Sequence, residues 1–289
     1  MKETNCINNL ISMSHQVGQN IEYVQGGGGN TSAKSGKDYM FIKASGIALK
    51  DMSVNQGIAK VDYKKVNAYH DLHDESESLY SAAINNLSLT PNARPSIETG
   101  FHAILGNYVI HSHSIFLNIF LCANEGKDIL LNMFPESLWI NYCNPGKELT
   151  FQIKKALSRV EKKENNFEGL IFLQNHGVIS SASNFQDCLF NHSQCNQKLI
   201  EHYNLNEFEL VSSNEFELPK NFLFPDQVVY MSPEQINKKT QSFLETISSV
   251  KYIENGIREL SLTPRYLKEQ EILMLNSMKS EEYRKKISK

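Results

Sequence analysis

Two histidines that follow a short apolar segment are the residues whose spacing most clearly suits chemistry. Tyr108-Val109-Ile110 leads into His111-Ser112-His113, so the two imidazoles are separated by one residue. Side chains on a strand alternate between its faces, so His111 and His113 point the same way and can reach one cation. A catalytic zinc ion usually takes about three protein ligands and keeps one position open for substrate. We therefore expect a third ligand elsewhere in the chain.

His176 is the best candidate for that third ligand. It stands in Asn175-His176-Gly177, a tight turn that follows the buried apolar segment from Gly169 to Leu173. Such a turn presents its central side chain at the end of the neighbouring strands. The sequence therefore predicts a metal site formed by His111, His113 and His176.

A run of glycines precedes a group of small polar residues. Gly26 to Gly29 is followed by Asn30-Thr31-Ser32, and we expect short strands at Tyr23 to Gln25 and at Met40 to Lys43. Glycine lets a backbone approach a ligand closely, and amide and hydroxyl groups donate to phosphate oxygens. A flexible hairpin loop explains the same residues without any ligand. The run matches neither a Walker loop nor a dinucleotide fingerprint.

Glu98 has two competing interpretations. Pro95-Ser96 predicts the start of a helix, with Ser96 as its cap and Glu98 in the first turn. A carboxylate in that position can simply complement the helix dipole. The helix also leads by a short connection into the strand of His111 and His113, which brings Glu98 near both histidines. The local sequence leaves a structural and a catalytic role open.

Composition excludes several classes of protein. The chain has 289 residues, 40% of them hydrophobic, which is enough to bury a full core. Its net charge of -3 gives no reason to expect nucleic acid or an anionic membrane as partner. Five scattered cysteines without a C-x-x-C pair indicate a reducing compartment. The N-terminal residues lack a signal-peptide pattern, and no apolar stretch approaches the ~20 residues of a membrane span, so we expect a cytoplasmic protein.

A composition shift near Glu207 predicts a boundary in the chain. We expect residues 1–207 to form the metal-binding catalytic domain and residues 208–289 to form a mostly helical extension packed on it. Within the extension, helices are predicted from Pro233 to Ser249 and from Pro264 to Lys285.

Five motifs together carry a resemblance to a known family. They are Gly-Gly-Asn-Thr-Ser, Lys43-Ala44-Ser45-Gly46, Pro95-Ser96-Ile97-Glu98, His111-Ser112-His113 and Asn175-His176-Gly177. In order and spacing they resemble the class II aldolase/adducin family over roughly residues 5–205. The tail, with Phe224 to Tyr230, is similar to the aldolase part of rhamnulose-1-phosphate aldolase/dehydrogenase fusion enzymes, although no dehydrogenase half is present.

The resemblance implies a fold, a metal and a set of site residues. The implied fold is a three-layer α/β/α structure around a mixed, largely antiparallel sheet. The three histidines would hold a divalent metal, Zn²⁺ in the first place with Mn²⁺ or another ion as alternatives, and Glu98 would be the acid/base. The implied substrate is a small sugar phosphate, and the implied assembly is a homotetramer with its active sites between subunits. The implied phosphate site consists of Gly29, Asn30, Ser45, Gly46 and Ser96. Ile97 departs from short-form aldolases, which carry a second serine there.

The resemblance favours an aldolase, which cleaves or forms a carbon–carbon bond through a metal-stabilised enediolate. The same family also contains sugar-phosphate 4-epimerases, decarboxylases of 3-oxo acid phosphates and dehydratases, and the sequence does not separate these reactions. A different class of protein, an adducin-like structural protein, keeps the fold but loses the metal ligands. A sugar-phosphate-binding protein without turnover is a further alternative.

Overall fold

A seven-stranded mixed sheet forms the centre of the computed structural model, which describes residues 3–72, 77–160, 167–211 and 217–278. The strands are β1 (Asn30–Ser35), β2 (Tyr39–Lys43), β3 (Ile58–Asp62), β4 (Tyr108–Ser112), β5 (Leu138–Ile140), β6 (Gly169–Leu173) and β7 (Gly177–Ala182). Their order across the sheet is β3-β2-β1-β4-β7-β6-β5. Strands β5 and β6 run parallel, and the other neighbouring pairs are antiparallel.

Helices cover both faces of this sheet. They are α1 (Glu3–Gly18), α2 (Tyr63–Leu72), α3 (Glu77–Asn86), α4 (Thr99–Ile104), α5 (Ile115–Leu121), α6 (Gly126–Met133), α7 (Lys147–Arg159), α8 (Phe185–Tyr203), α9 (Pro225–Tyr230), α10 (Pro233–Lys238), α11 (Gln241–Glu259) and α12 (Glu269–Ser277). Within the described ranges, none of these helices has both the length and the apolar character needed to cross a membrane.

The alternation of side chains along the strands builds one core on each face. Tyr108 and Ile110 of β4 pack with Leu10 of α1 and Cys188 of α8. Val109, which points to the opposite face, packs in a cluster with residues of α4 and α7. The predicted three-layer α/β/α fold with a largely antiparallel mixed sheet is therefore confirmed.

The helices that follow residue 217 share a core with the sheet. Phe243 and Ile247 of α11 belong to the same apolar cluster as Phe116 of α5 and Phe172 of β6. Gly256 permits the close approach of these helices, because a Cβ atom there would lie 2.5 Å from the Ile119 side chain. The predicted boundary near Glu207 stays a prediction.

The strand prediction before the glycine run was wrong. Tyr23 to Gln25 is not a strand. The Tyr23 carbonyl accepts a 2.9 Å hydrogen bond from the His113 amide, but this bond is not part of a strand ladder. The first strand instead begins at Asn30. The turn of the first hairpin lies at Gly36, whose φ of +68° suits glycine, so the glycine run is not a hairpin loop.

Three predicted helices also differ from those in the structure. The helix expected to start at Ser96 begins at Thr99, because the Thr99 amide and hydroxyl both donate to the Ser96 carbonyl in a preceding turn. The helix expected from Pro233 to Ser249 is divided at Lys239, which adopts a left-handed conformation with φ +47°. The last predicted helix shortens to α12, and residues 279–289 lie outside the described part of the chain.

Candidate metal centre and substrate pocket

Pairing of β4 with β7 brings the three predicted histidines together. His111 lies in β4 opposite Ile179 of β7, and His176 precedes β7 in the turn that follows β6. His113 stands one residue beyond the end of β4. The three histidines are buried, and their candidate ligand atoms all lie within 4.8 Å of one another.

The chemistry of the imidazoles suits a cation at this position. His111 Nδ1 lies 3.0 Å from the Val178 carbonyl, which can only accept, so this nitrogen donates and His111 Nε2 keeps its lone pair. Asp226 accepts from His113 Nδ1 at 2.7 Å, which leaves the lone pair on His113 Nε2. The two Nε2 atoms are only 3.1 Å apart. Facing lone pairs repel, and a shared divalent ion would convert that repulsion into two bonds, so the residues fit a metal.

Burial keeps His111 in the form that binds metals. Removal from water lowers the pKa of His111 to about 4, and the charge of Glu98 opposes this shift only in part. The imidazole is therefore neutral near pH 7, and a neutral imidazole is the form that ligates a metal.

Glu98 directs its carboxylate toward the histidines and not toward the helix that follows it. Although Glu98 is the N-cap residue of α4, its side chain makes no capping hydrogen bond. Oε1 lies 3.6 Å from His176 Nε2, and Oε2 lies 3.5 Å from His111 Nε2. Oε1 is buried without a hydrogen-bond partner among the described residues. The geometry therefore favours a role in the site over simple complementation of the helix dipole.

A polar chain fixes the orientation of Glu98. Asn30 Nδ2 donates to Glu98 Oε2 at 2.7 Å, and Asn30 Oδ1 contacts the ring of His102. The other ring nitrogen of His102 lies 2.7 Å from the Ser32 hydroxyl. Burial lowers the pKa of His102 well below its ordinary value, so the ring is neutral and can donate to Asn30 while it accepts from Ser32.

The residues predicted to bind phosphate line one pocket with Glu98, His113 and His176. They are Gly29, Asn30, Ser45, Gly46 and Ser96. Asn30 and Ser96 are linked to each other, because Asn30 Nδ2 lies 3.3 Å from Ser96 Oγ. Gly29 has φ +64°, and a Cβ there would lie 2.8 Å from the His111 carbonyl, so it also packs the glycine loop against β4.

Two further charged side chains line this pocket, Lys43 and Asp226, and the sequence did not predict a role for either. Lys43 is buried at the end of β2, and its Nζ lies 3.2 Å from the Gly27 carbonyl. The sequence did contain a signal for this buried cation, because Lys43 directly follows the apolar segment Met40-Phe41-Ile42. Asp226 comes from α9 and lies 113 residues from its partner His113, so no local pattern could have shown that the two residues meet.

Comparison with known proteins gives one family and one fold. Residues 8–199 match the family model described as "Class II Aldolase and Adducin N-terminal domain". No curated protein sequence matches the chain.

Solved structures of low sequence identity share the fold. The N-terminal class II aldolase domain of a conserved protein from Thermoplasma acidophilum is 20% identical, with a TM-score of 0.60 over 70% of this chain and 95% of that chain. YgbL from Escherichia coli is 14% identical, with a TM-score of 0.51 over 96% of this chain and 100% of that chain. A sugar-phosphate aldolase from Thermotoga maritima is 12% identical, with a TM-score of 0.50 over 71% of this chain and 97% of that chain.

Proposed function

The chain belongs to the class II aldolase and adducin family, and from this premise we propose that it is a metal-dependent aldolase acting on a small sugar phosphate. The observation that carries the proposal is the buried Glu98 carboxylate, held by Asn30 and directed at the Nε2 atoms of His111 and His176. A purely structural member of the family has no need of a carboxylate in this position.

His111, His113 and His176 would hold the metal, with Zn²⁺ as our first choice and Mn²⁺ or another divalent ion as alternatives. When bound, such an ion supplies Lewis acidity that stabilises negative charge on substrate oxygens. An imidazole ligates a metal in its neutral form, so three such ligands would preserve the full charge of the ion. A carboxylate at an adjacent position remains available for proton transfer.

Glu98 is the acid/base of the proposed reaction. Its Oε2 accepts from Asn30, while Oε1 has no hydrogen-bond partner among the described residues and faces the space beside His176. Oε1 is therefore the atom that takes a proton from the substrate and returns it. The bond from Asn30 holds the carboxylate in one orientation throughout, which reduces the reorganisation that proton transfer requires.

A second part of the pocket lining, the anion wall formed by Lys43, Ser45, Gly46 and Ser96, suits an anion. Lys43 contributes a buried positive charge, and Ser45 and Ser96 contribute hydroxyl groups. Anchoring a phosphate there would fix the part of the substrate that does not react and orient the reacting carbons toward Glu98. Ile97 lines the same pocket, so this wall has one hydroxyl fewer than the short-form pattern. We propose that Lys43 compensates for that difference.

Assembly and compartment complete the proposal. We propose a homotetramer in which a neighbouring subunit contributes to the active site, as the family resemblance implies. The described cysteines are free and buried, which agrees with a reducing, cytoplasmic environment.

A substrate panel tests the proposed reaction. Zinc-loaded protein is incubated with ketose 1-phosphates and 3-oxo acid phosphates, and the products are identified by NMR, with Glu98→Gln as the matched control. We expect dihydroxyacetone phosphate and an aldehyde from a ketose 1-phosphate. Carbon dioxide, an epimer or a dehydrated product would instead assign one of the sister reactions of the family. Absence of product from every compound would overturn the enzymatic proposal.

A further inference from the structure

The helices beyond residue 217 contribute a carboxylate to the metal centre. Asp226 lies in the first turn of α9 and is only 2% exposed. Its Oδ2 accepts from His113 Nδ1 at 2.7 Å, and both partners are buried. We propose that Asp226 is a positioning residue, which fixes the tautomer and ring orientation of His113 so that Nε2 faces the metal. This inference rests on the proposed metal site.

The physical need for such a residue follows from the difference between the two neighbouring ligands. His111 lies in the sheet, where the backbone carbonyl of Val178 accepts from its Nδ1 at 3.0 Å. His113 lies beyond the end of β4, and its Nδ1 is held by a side chain from a distant helix. A neutral imidazole carries its proton on either nitrogen, and an acceptor at Nδ1 selects the tautomer whose Nε2 can ligate.

The glycine loop is shaped around this pair. A Cβ atom at Gly28 would lie 2.5 Å from Asp226 Oδ2 and 2.9 Å from His113 Nδ1, so only glycine fits there without displacing the pair. Gln227 holds the start of α9, because its side chain accepts from the Leu223 amide at 2.7 Å. Asp226 is thus enclosed from both sides and has little freedom to turn away from the ring.

Neighbouring contacts show that α9, α11 and the segment between α11 and α12 support the surrounding loops. Glu245 of α11 accepts from the Gly26 amide at 2.6 Å, and the Tyr230 hydroxyl accepts from the Gly27 amide at 3.0 Å. Arg265 donates to Asn175 Oδ1 at 2.6 Å, in the turn that carries His176. Among these contacts, Asp226 alone touches a proposed metal ligand, and Tyr230 therefore supplies a matched control from the same helix.

The test measures zinc affinity in the full chain, with a chromophoric chelator as competitor. Loss of an outer partner of a ligating histidine typically weakens metal binding by about 10–100-fold, and we expect a rise in Kd of this size for Asp226→Ala. Asp226→Asn keeps an oxygen acceptor but loses the charge-assisted bond, so its Kd should rise by a smaller, measurable factor. Tyr230→Phe, which removes the hydroxyl group that accepts from the Gly27 amide, should bind zinc as the unaltered protein does.

A second readout needs neither metal nor turnover. Nitrogen-15 NMR of the metal-free protein reports the tautomer of His113, which we expect to carry its proton on Nδ1 and to lose that preference in Asp226→Ala. Unaltered zinc affinity and unaltered tautomer in Asp226→Ala would overturn the inference. If that variant fails to fold, a Kd for Asp226→Asn equal to that of the unaltered protein overturns it.

The outcomes also separate this inference from the proposed reaction. Weakened zinc binding in the Asp226 variants together with no product from the substrate panel would support the inference and defeat the aldolase proposal. Normal zinc binding in the Asp226 variants, together with aldolase activity of the unaltered protein, would overturn the inference and support the aldolase proposal.

Discussion

The pocket has a histidine wall, around Glu98 and the three histidines, and an anion wall, formed by Lys43, Ser45, Gly46 and Ser96. The two walls are built in different ways. On the histidine wall, His111 and His113 each have a buried acceptor at Nδ1, and Glu98 is held by Asn30. On the anion wall, Ser45 is partly exposed and Gly46 is exposed. The groups proposed for chemistry are therefore held by buried partners, whereas the groups proposed for substrate recognition range from buried, at Lys43 and Ser96, to exposed, at Gly46. Substitutions in each wall test whether chemistry and substrate recognition are divided in this way.

Removal of a metal ligand should have the largest effect. His176→Ala leaves two histidines, so zinc affinity should fall well beyond the about 10–100-fold expected for loss of an outer partner. Turnover should fall with zinc occupancy. Metal analysis by mass spectrometry after dialysis provides the measurement, with His202→Ala on α8 as a control of the same residue type. Full zinc occupancy in His176→Ala would remove this residue from the ligand set.

Glu98→Gln should separate metal binding from proton transfer on the histidine wall. The amide has almost the same size, so zinc content and melting temperature should persist. Without the acid/base, turnover should fall by about 10²–10⁴-fold. Steady-state kinetics and zinc content should be measured on one preparation. Near-normal turnover in a zinc-replete variant would assign Glu98 a structural role.

Lys43→Met should affect recognition more than chemistry. A hydrogen bond to a charged group contributes about 1.5–3 kcal/mol, so kcat/KM for a phosphorylated substrate should fall about 10–100-fold. The unphosphorylated analogue should lose little. Lys34→Met is the matched control, because Lys34 is also buried but donates to the Ala103 and Leu105 carbonyls. Equal losses for both substrates would contradict an anion site at Lys43.

His192 should give the smallest effect, on stability alone. Burial, aided by His111, lowers the pKa of His192 from 6.5 to about 4. The unfolded chain therefore binds a proton on this ring before the folded chain does, and stability is lost as the pH falls from 6.5 toward 4. The slope for one such group is at most about 1.4 kcal/mol per pH unit. Urea unfolding of metal-free protein should show a weaker acid dependence in His192→Asn, and an identical dependence would contradict this account.

The sequence predicts the cluster of three histidines better than it predicts the residues that surround them. His111, His113 and His176 follow from strand alternation and from a turn between apolar segments, which are local patterns. The direction of Glu98 depends on its position as the N-cap residue of α4, two residues after the Ser96 cap that the sequence predicts. Asp226 approaches His113 only through tertiary packing.

Asn30, which the sequence predicts to bind phosphate, illustrates the same limit. Its position after the glycine run suggests a phosphate contact, but hydrogen bonding to Glu98, Ser96 and His102 engages both ends of its amide. These partners lie 66 to 72 residues away in the chain. Their arrangement depends on sheet pairing and helix packing that short motifs do not encode.

The most direct test of the central claim is anomalous diffraction from crystals of the zinc-loaded protein, recorded at the zinc absorption edge. We expect one strong peak per chain, at about 2.0–2.1 Å from the Nε2 atoms of His111, His113 and His176. A peak bound by other residues, or no peak at these histidines in fully loaded protein, would contradict the proposed metal centre.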